Sequence, residues 1–220
     1  MYDYLLFDLD GTVVDSGLGV TNSVMYALKK WGIEVENREK LYVFLGPPLV
    51  DSFSEHFGFS HEDSLRCVEY YREYYNEKGI FENRVYDGIV DVLVKAREMG
   101  KKIILATSKP EEYAKQILEH LGLLQYFDFV AGATMDESRN EKAGVIRYAV
   151  ESLNINDVSK IVMIGDRKFD VIGAAEHGID TIGVLFGFGD EDELLRAGAK
   201  YIAPTPADIL KFILQKTDER

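Results

Sequence analysis

The chain has 220 residues, 46% of them hydrophobic, and its 38 acidic residues against 25 basic ones give a formal net charge of −13 at pH 7. This length and composition are those of a globular protein with a sizeable core, and no apolar stretch approaches the roughly 18 residues that cross a bilayer. The negative charge repels nucleic-acid backbones and anionic membrane surfaces, so we expect neither as a partner.

The cysteine content and the amino terminus indicate the compartment. Cys67 is the single cysteine, which excludes an internal disulfide and fits a reducing environment. The first residues include Asp3 and lead directly into an apolar segment, without the basic region of a signal peptide. We therefore expect a cytoplasmic protein.

Short apolar segments alternate with amphipathic stretches along most of the chain, a pattern that predicts βαβ units and a mainly parallel sheet. The predicted strands cover residues 4–9, 102–107, 127–131, 161–164 and 181–185, with a weaker one at 201–203. The fold class that follows is α/β.

Residues 14–85 interrupt this alternation, because they show no convincing strand and only helical patterns. These patterns cover residues 18–31, 39–45, a stretch after Pro48, and 60–77, where Leu65, Val68, Tyr71 and Tyr75 are spaced along one helix face. A helical block of about 70 residues is too long for a connecting loop. We therefore predict an α-helical cap subdomain over 14–85, inserted into a core domain formed by 1–13 and 86–220.

Helices are also predicted between the later strands. Asp87 is suited to cap the first of them, which places Ile89, Leu93 and Ala96 on one face. Pro110 is suited to the first turn of the next helix. Further helices are predicted over residues 142–153 and from residue 205 onward.

Two aspartates, Asp8 and Asp10, lie at the end of the first predicted strand. Residues i and i+2 of a strand point to the same side, so the two carboxylates converge while Leu9 faces the core. The carboxyl end of a strand is where open α/β sheets bind their ligands. Two neighbouring carboxylates favour either a raised pKa or a bound cation. The dipeptide alone is equally typical of an ordinary Asp-Gly turn.

Later clusters favour the functional interpretation. The second strand delivers Thr107 and Ser108 to a helix start, which is suited to bind an anion. The fourth strand delivers Asp166 and Asp170. Lys142 is the first residue of a predicted helix that lies between the second and the fourth of these strand ends in the sequence. Taken singly, a threonine such as Thr107 is common at the end of a strand, and a lysine such as Lys142 is usually a solvated surface residue. Together with Asp8 and Asp10 they predict a site for a divalent metal and a phosphoryl group.

These residues carry a resemblance to a known family. The segment FDLDGTVVDS at residues 7–16, the strand end at Thr107, Lys142 and GDRKFD at 165–170 resemble the four motifs of the haloacid dehalogenase (HAD) superfamily, in order. The helical insertion resembles the cap of the phosphoglycolate phosphatase and β-phosphoglucomutase branch. Residues 44–49, FLGPPL, are similar to the cap loop of phosphoglycolate-phosphatase-like members. The resemblance implies a Rossmann-like parallel-sheet core with an inserted α-helical cap.

The resemblance also implies roles for the acidic residues. Asp8 would be the nucleophile that forms an aspartyl-phosphate, and Asp10 the acid that protonates the leaving group and then the base that activates water. Asp8, Asp10 and Asp166 would form the metal site, Asp10 through its backbone carbonyl, with Asp170 either as a further metal ligand or as an anchor for the ligands. All-oxygen ligation indicates Mg²⁺.

The remaining implied site residues would contact the phosphoryl group or the substrate. Lys142 and Thr107 would stabilise the transferred phosphoryl group, although Lys142 is followed by Ala143 where many relatives have proline. The backbone N–H groups near Leu9 and Ser108 would assist them. Gly11 would allow the turn after the strand, and Gly46 would contribute from the cap loop.

The function implied is a Mg²⁺-dependent phosphatase of small phosphomonoesters, with phosphoglycolate as the leading substrate and a nucleoside 5′-monophosphate second. A β-phosphoglucomutase-like phosphomutase is an alternative enzyme, and a phosphoaspartate signalling switch is an alternative from another class. A dehalogenase is disfavoured because its chemistry does not need the acid at Asp10. The expected partner is a small phosphorylated metabolite, and the expected state is a monomer or weak homodimer.

Overall fold

The structure is a computed structural model that describes residues 1–136 and 138–214. Its strands are β1 Tyr4–Phe7, β2 Val14–Asp15, β3 Arg84–Val85, β4 Lys102–Pro110, β5 Phe129–Ala133, β6 Ile161–Gly165, β7 Asp180–Val184 and β8 Tyr201–Ala203. Its α-helices are α1 Gly17–Lys30, α2 Leu49–Phe57, α3 His61–Glu77, α4 Ile89–Glu98, α5 Glu111–His120, α6 Lys142–Ser152, α7 Lys168–Ala175, α8 Glu191–Ala197 and α9 Pro206–Leu214. Short 3-10 helices cover Arg38–Phe44, Gly79–Phe81, Leu124–Tyr126 and Val158–Lys160.

Within the described residues, six strands form a parallel sheet in the order β5-β4-β1-β6-β7-β8. The central strand β1 pairs with β4 on one side and β6 on the other, and Phe7 is level with Leu105 and Ile164. The prediction of an α/β fold with a parallel sheet is confirmed. Because these three strands run parallel and in register, the residues that follow Phe7, Leu105 and Ile164 emerge near one another at one rim.

One face of the sheet packs on helix α6. Alternate strand residues Leu6, Ile104 and Met163 share a buried cluster with Val145 and Ile146 of that helix. This packing fixes the start of α6, and with it Lys142, against the sheet.

The chain divides into two compact units. The sheet unit comprises Met1–Val14 and Val85–Arg220, and the helical unit comprises Asp15–Arg84. We expected a core domain of residues 1–13 and 86–220 and a cap of residues 14–85. Each boundary between the two units therefore lies one residue from its expected position. The short strands β2 and β3 pair with each other at these crossings, where no strand was predicted.

The helical unit is organised around α1, α2 and α3. Ser60 caps α3, because its side chain accepts a hydrogen bond from the backbone N–H of Asp63 at 3.1 Å. Tyr71 and Tyr75 on α3 are buried as predicted, but Leu65 is 46% exposed and its predicted inward position is wrong. The buried stripe instead passes through Ser64, one residue earlier, because the faces of a helix recur every three to four residues.

The start of α4 also differs from the expectation. The residue that precedes the helix is Gly88, and the Ile89 N–H donates to the Tyr86 carbonyl at 3.1 Å, so Asp87 is not the cap. The predicted inward residues Ile89, Leu93 and Ala96 are buried. Among the described residues, the helices are all too short or too polar to span a bilayer.

Candidate active site

The neighbouring ends of β1 and β6 bring two acidic segments together. Asp8 follows β1, and its backbone N–H donates to the Ile164 carbonyl at 2.9 Å. Asp166 follows β6 directly, and Asp170 lies in the first turn of α7. The two segments are therefore neighbours at the carboxyl rim of the sheet.

Asp8, Asp166 and Asp170 form an acidic cluster. One carboxylate oxygen from each lies within 4.8 Å of the others. The three residues are buried, with Asp8 9%, Asp166 0% and Asp170 1% exposed. Asp166 is oriented by two donors, the Phe188 N–H on Oδ2 at 2.8 Å and the Thr12 hydroxyl on Oδ1 at 3.3 Å.

Lys142 is the cation of this cluster. Its Nζ lies 2.8 Å from Oδ1 of Asp8 and 2.8 Å from Oδ1 of Asp170, and it donates to the Ala106 carbonyl at 3.0 Å. Burial alone lowers the pKa of the Lys142 ammonium, but the charges of Asp170 and Asp8 outweigh burial and raise it. Lys142 therefore stays charged.

Burial disfavours the charged forms of Asp8 and Asp166 and raises the pKa of each. Burial raises the pKa of Asp8 to about 6, an effect that Lys142 opposes and the charge of Asp170 reinforces. Burial, with the charges of Asp170 and Asp8, also raises the pKa of Asp166 well above its usual range. Three buried carboxylates against one ammonium leave an excess of negative charge. An oxygen-only donor set of this kind fits a hard divalent cation.

The side chain of Asp10 lies outside the acidic cluster. Its Oδ2 pairs with Nζ of Lys109 at 3.1 Å, with both side chains mostly buried. Its Oδ1 is buried and has no hydrogen-bond partner among the described residues. The metal contact expected of Asp10 was through its backbone carbonyl, and that contact stays a prediction.

The strand end at Thr107 contributes a buried hydroxyl. Strand β4 continues to Pro110 with an irregular register after Ala106, and Thr107 is buried while Ser108 is half-buried. The Lys109 N–H donates to the Thr107 hydroxyl at 3.2 Å. Contacts of Thr107 and Ser108 with a phosphoryl group stay predictions.

The loop after β1 is built on Leu9 and Gly11. The carbonyl of the fully buried Leu9 accepts from the N–H groups of Val13 and Val14 at 2.9 and 3.0 Å. Gly11 has φ +82°, and a Cβ there would overlap the carboxylate of Asp166. Gly11 therefore permits both the turn and the close approach of Asp166. Gly46 belongs to the helical unit, and its substrate contact stays a prediction.

Several residues that contact the site were not predicted from the sequence. Thr12 was not among the predicted site residues, and its buried hydroxyl donates to Asp166. Lys109 was not among the predicted site residues, and it is the ion-pair partner of Asp10. Thr12 lies after the turn at Gly11, so strand alternation does not predict its contact with Asp166. Phe188 acts through its backbone, which no side-chain pattern reveals.

The chain is similar to known proteins over most of its length. The family model described as haloacid dehalogenase-like hydrolase matches residues 5–184. A 5′-nucleotidase of Pseudomonas aeruginosa is 39% identical over 193 residues, which are 88% of this chain and 87% of that protein. The tyrosine-protein kinase PtkA of Mycobacterium tuberculosis is 38% identical over 86% of this chain and 64% of its own length. A crystal structure described as a predicted phosphatase from Clostridium acetobutylicum is 48% identical, with a TM-score of 0.93 over 97% of this chain and 99% of that one.

Proposed function

The chain belongs to the haloacid dehalogenase-like hydrolase family and is a phosphoric monoester hydrolase, and from this premise we propose that it is a Mg²⁺-dependent phosphatase of small phosphomonoesters. The observation that carries the proposal is the buried acidic cluster of Asp8, Asp166 and Asp170 with Lys142 paired to two of its members. A cluster with excess negative charge at the ligand-binding rim is suited to a cation and, through it, to a phosphate.

In the first step, a carboxylate oxygen of Asp8 attacks phosphorus in line. An O–P bond forms to Asp8, the ester P–O bond breaks, and Asp10 gives its proton to the departing alkoxide. In the second step, water attacks the aspartyl-phosphate while Asp10 takes a proton from it. The P–O bond to Asp8 breaks, which frees inorganic phosphate and restores the carboxylate.

The carboxylates of Asp8, Asp166 and Asp170, with the backbone carbonyl of Asp10, would hold Mg²⁺. When bound, the cation supplies positive charge beside the phosphoryl oxygens. Lys142 orients Asp8 and offsets its charge. The Thr107 hydroxyl and the N–H groups near Leu9 and Ser108 donate to the remaining phosphoryl oxygens.

Nucleoside 5′-monophosphates are the first substrates to test, because the relative from P. aeruginosa that is named a 5′-nucleotidase is 39% identical over most of both chains. Phosphoglycolate, the leading substrate implied by the family resemblance, is the second candidate. It is supported by the likeness of residues 44–49 to the loop of phosphoglycolate-phosphatase-like proteins.

The test is a phosphate-release assay over nucleoside 5′-monophosphates, phosphoglycolate and sugar monophosphates, with Mg²⁺ or with EDTA. We expect stoichiometric phosphate from a monoester, abolished by EDTA and by Asp8→Asn. Turnover of a sugar phosphate only in the presence of a bisphosphate would instead indicate a phosphomutase. A long-lived phosphoprotein without phosphate release would indicate a phosphoaspartate switch. Phosphorylation of an added tyrosine peptide by ATP would indicate a kinase, the activity in the name of PtkA.

We further propose that the enzyme works in the cytoplasm on a small phosphorylated metabolite, as a monomer or weak homodimer. The support is its single cysteine and its net charge of −13, which disfavours nucleic acid and anionic membranes. Light scattering after size exclusion, over a range of protein concentrations, measures the oligomeric state.

A further inference from the structure

A segment outside the acidic cluster contacts the loop that carries two of its members. We call residues 186–193, which join β7 to the first residues of α8, the clasp. The Phe188 N–H of the clasp donates to Oδ2 of Asp166 at 2.8 Å. The clasp therefore contacts a member of the cluster directly, through the backbone.

Glu193 contacts the residues between Asp166 and Asp170. Its Oε1 accepts from Nε of Arg167 at 2.9 Å and from the backbone N–H of Lys168 at 2.8 Å. Lys168 is the first residue of α7, where N–H groups lack partners within the helix and a negative charge is favourable. One carboxylate thus fixes both the helix start and the side chain that precedes it.

Gly189 packs against the backbone of the same loop. A Cβ at this position would overlap the carbonyl oxygen of Asp166. The clasp therefore contacts residues 166–168 of the acidic loop through Phe188, Gly189 and Glu193.

We propose that Glu193 is a positioning residue for the cation site. By fixing Arg167 and Lys168, it holds Asp166 and Asp170 in the arrangement that accepts the metal, without contacting the metal or the substrate. This inference rests on the proposed function, because it requires that the acidic cluster binds Mg²⁺. Outer hydrogen-bond partners of metal ligands typically change metal affinity by about 10–100-fold.

The test compares Glu193→Ala, Glu193→Gln and wild type by Mg²⁺ calorimetry and by Mn²⁺ electron paramagnetic resonance. We expect Glu193→Ala to weaken binding by about tenfold, at the low end of the range because Glu193 acts through its neighbours. Glu193→Gln keeps an acceptor oxygen and should bind nearly as tightly as wild type. The matched control is Asp192→Ala, which removes an exposed ion pair to Arg196 on the same helix and should change nothing.

The melting temperature of each metal-free variant separates positioning from general stability. Equal affinity of Glu193→Ala and wild type overturns the inference, as does an equal loss in Asp192→Ala. A loss in Glu193→Gln as large as in Glu193→Ala also overturns it, because the acceptor is then irrelevant. Wild type that binds neither metal overturns the proposed function itself.

A second variant carries the same test if Glu193→Ala does not fold. Gly189→Ala forces the clasp away from Asp166 and should also weaken metal binding. Its control is Gly144→Ala on α6, where a Cβ would meet its nearest neighbour at an ordinary 3.7 Å. Equal metal affinity in Gly189→Ala and Gly144→Ala would overturn the inference.

Discussion

The ammonium nitrogen of Lys142 lies 2.8 Å from Oδ1 of Asp8, the carboxylate that we propose as the nucleophile. Burial raises the pKa of Asp8, and Lys142 opposes that rise, so the ion pair favours the charged form that attacks phosphorus. Lys142 also reaches Asp170 and thereby links the end of β1 to the start of α7. The pair accordingly has an electrostatic role and a positional one.

Lys142→Met removes the ammonium and leaves three buried carboxylates together. Turnover of a phosphomonoester should fall by about 10²–10³-fold, as for other losses of a stabilising donor. The metal-free protein at pH 7 should also lose roughly 3–5 kcal/mol of unfolding free energy, because the remaining buried charges are unpaired. Steady-state kinetics and urea unfolding measure both effects. Lys115→Met, in an exposed pair with Glu111, is the control, and a matching loss there would contradict this role.

Asp10→Asn keeps the nucleophile but removes the proposed acid and base. Turnover of an alkyl phosphate should fall by about 10²–10⁴-fold. The rate of the first step should recover with an aryl phosphate, whose leaving group needs no proton, while hydrolysis of the aspartyl-phosphate stays slow. Rapid-quench kinetics with both ester types checks this, with the exposed Asp91→Asn as control. An equal loss with both esters in the first step would count against Asp10 as the acid.

The raised pKa values of Asp8 and Asp166 predict how Mg²⁺ stabilises the protein at different pH values. Asp8 titrates near 6 in the metal-free fold instead of its ordinary 3.8, so between about pH 4 and 6 the native state binds more protons than the unfolded chain. The metal-free protein therefore loses unfolding free energy from these groups as pH rises through that window. Mg²⁺ competes with those protons and should raise the melting temperature more at pH 7.5 than at pH 5.

Differential scanning calorimetry with Mg²⁺ and with EDTA measures this difference. Taking the difference at each pH cancels the contribution of carboxylates remote from the site. Asp136 is one of these, and hydrogen bonds from Thr134 and Ser138 lower its pKa to about 2. Asp166→Asn should abolish most of the Mg²⁺ effect. Stabilisation by Mg²⁺ that is equal at the two pH values would show that the metal does not bind at these carboxylates.

The aromatic packing of the helical unit predicts a stability contrast. Phe53 is fully buried and its ring lies 4.9 Å from that of Phe44, so Phe53→Ala should cost about 3–5 kcal/mol. Leu65 is 46% exposed, so Leu65→Ala should stay within about 0.5 kcal/mol of wild type. Denaturant unfolding measures both, and a large loss for Leu65→Ala would restore the inward position predicted from the sequence.

The acidic rim could be predicted from the sequence because two simple rules determine it. Alternation along a strand separates Asp8 from Leu9, and parallel topology places the ends of β1 and β6 at one edge. The sequence also placed Lys142 with this cluster, from its position at a helix start. These features depend on local pattern and sheet order alone.

Other features depend on contacts between distant segments. The pairing of Asp10 with Lys109 joins residues about 100 positions apart, and the contact of Glu193 with Lys168 requires the packing of α8 on α7. The error at Leu65 has a different cause. Ser64 is polar yet fully buried, so hydropathy placed the buried stripe of α3 on the wrong neighbour.

The identity of the phosphorylated residue decides whether Asp8 is the nucleophile of this enzyme. Wild-type enzyme turning over a phosphomonoester with Mg²⁺ is quenched in acid and mapped by peptide mass spectrometry. We predict a hydroxylamine-labile phosphoryl group on Asp8, absent when EDTA is present or when Asp8 is replaced by asparagine. A phosphoryl group on another residue, or phosphate release that survives Asp8→Asn, would contradict this prediction.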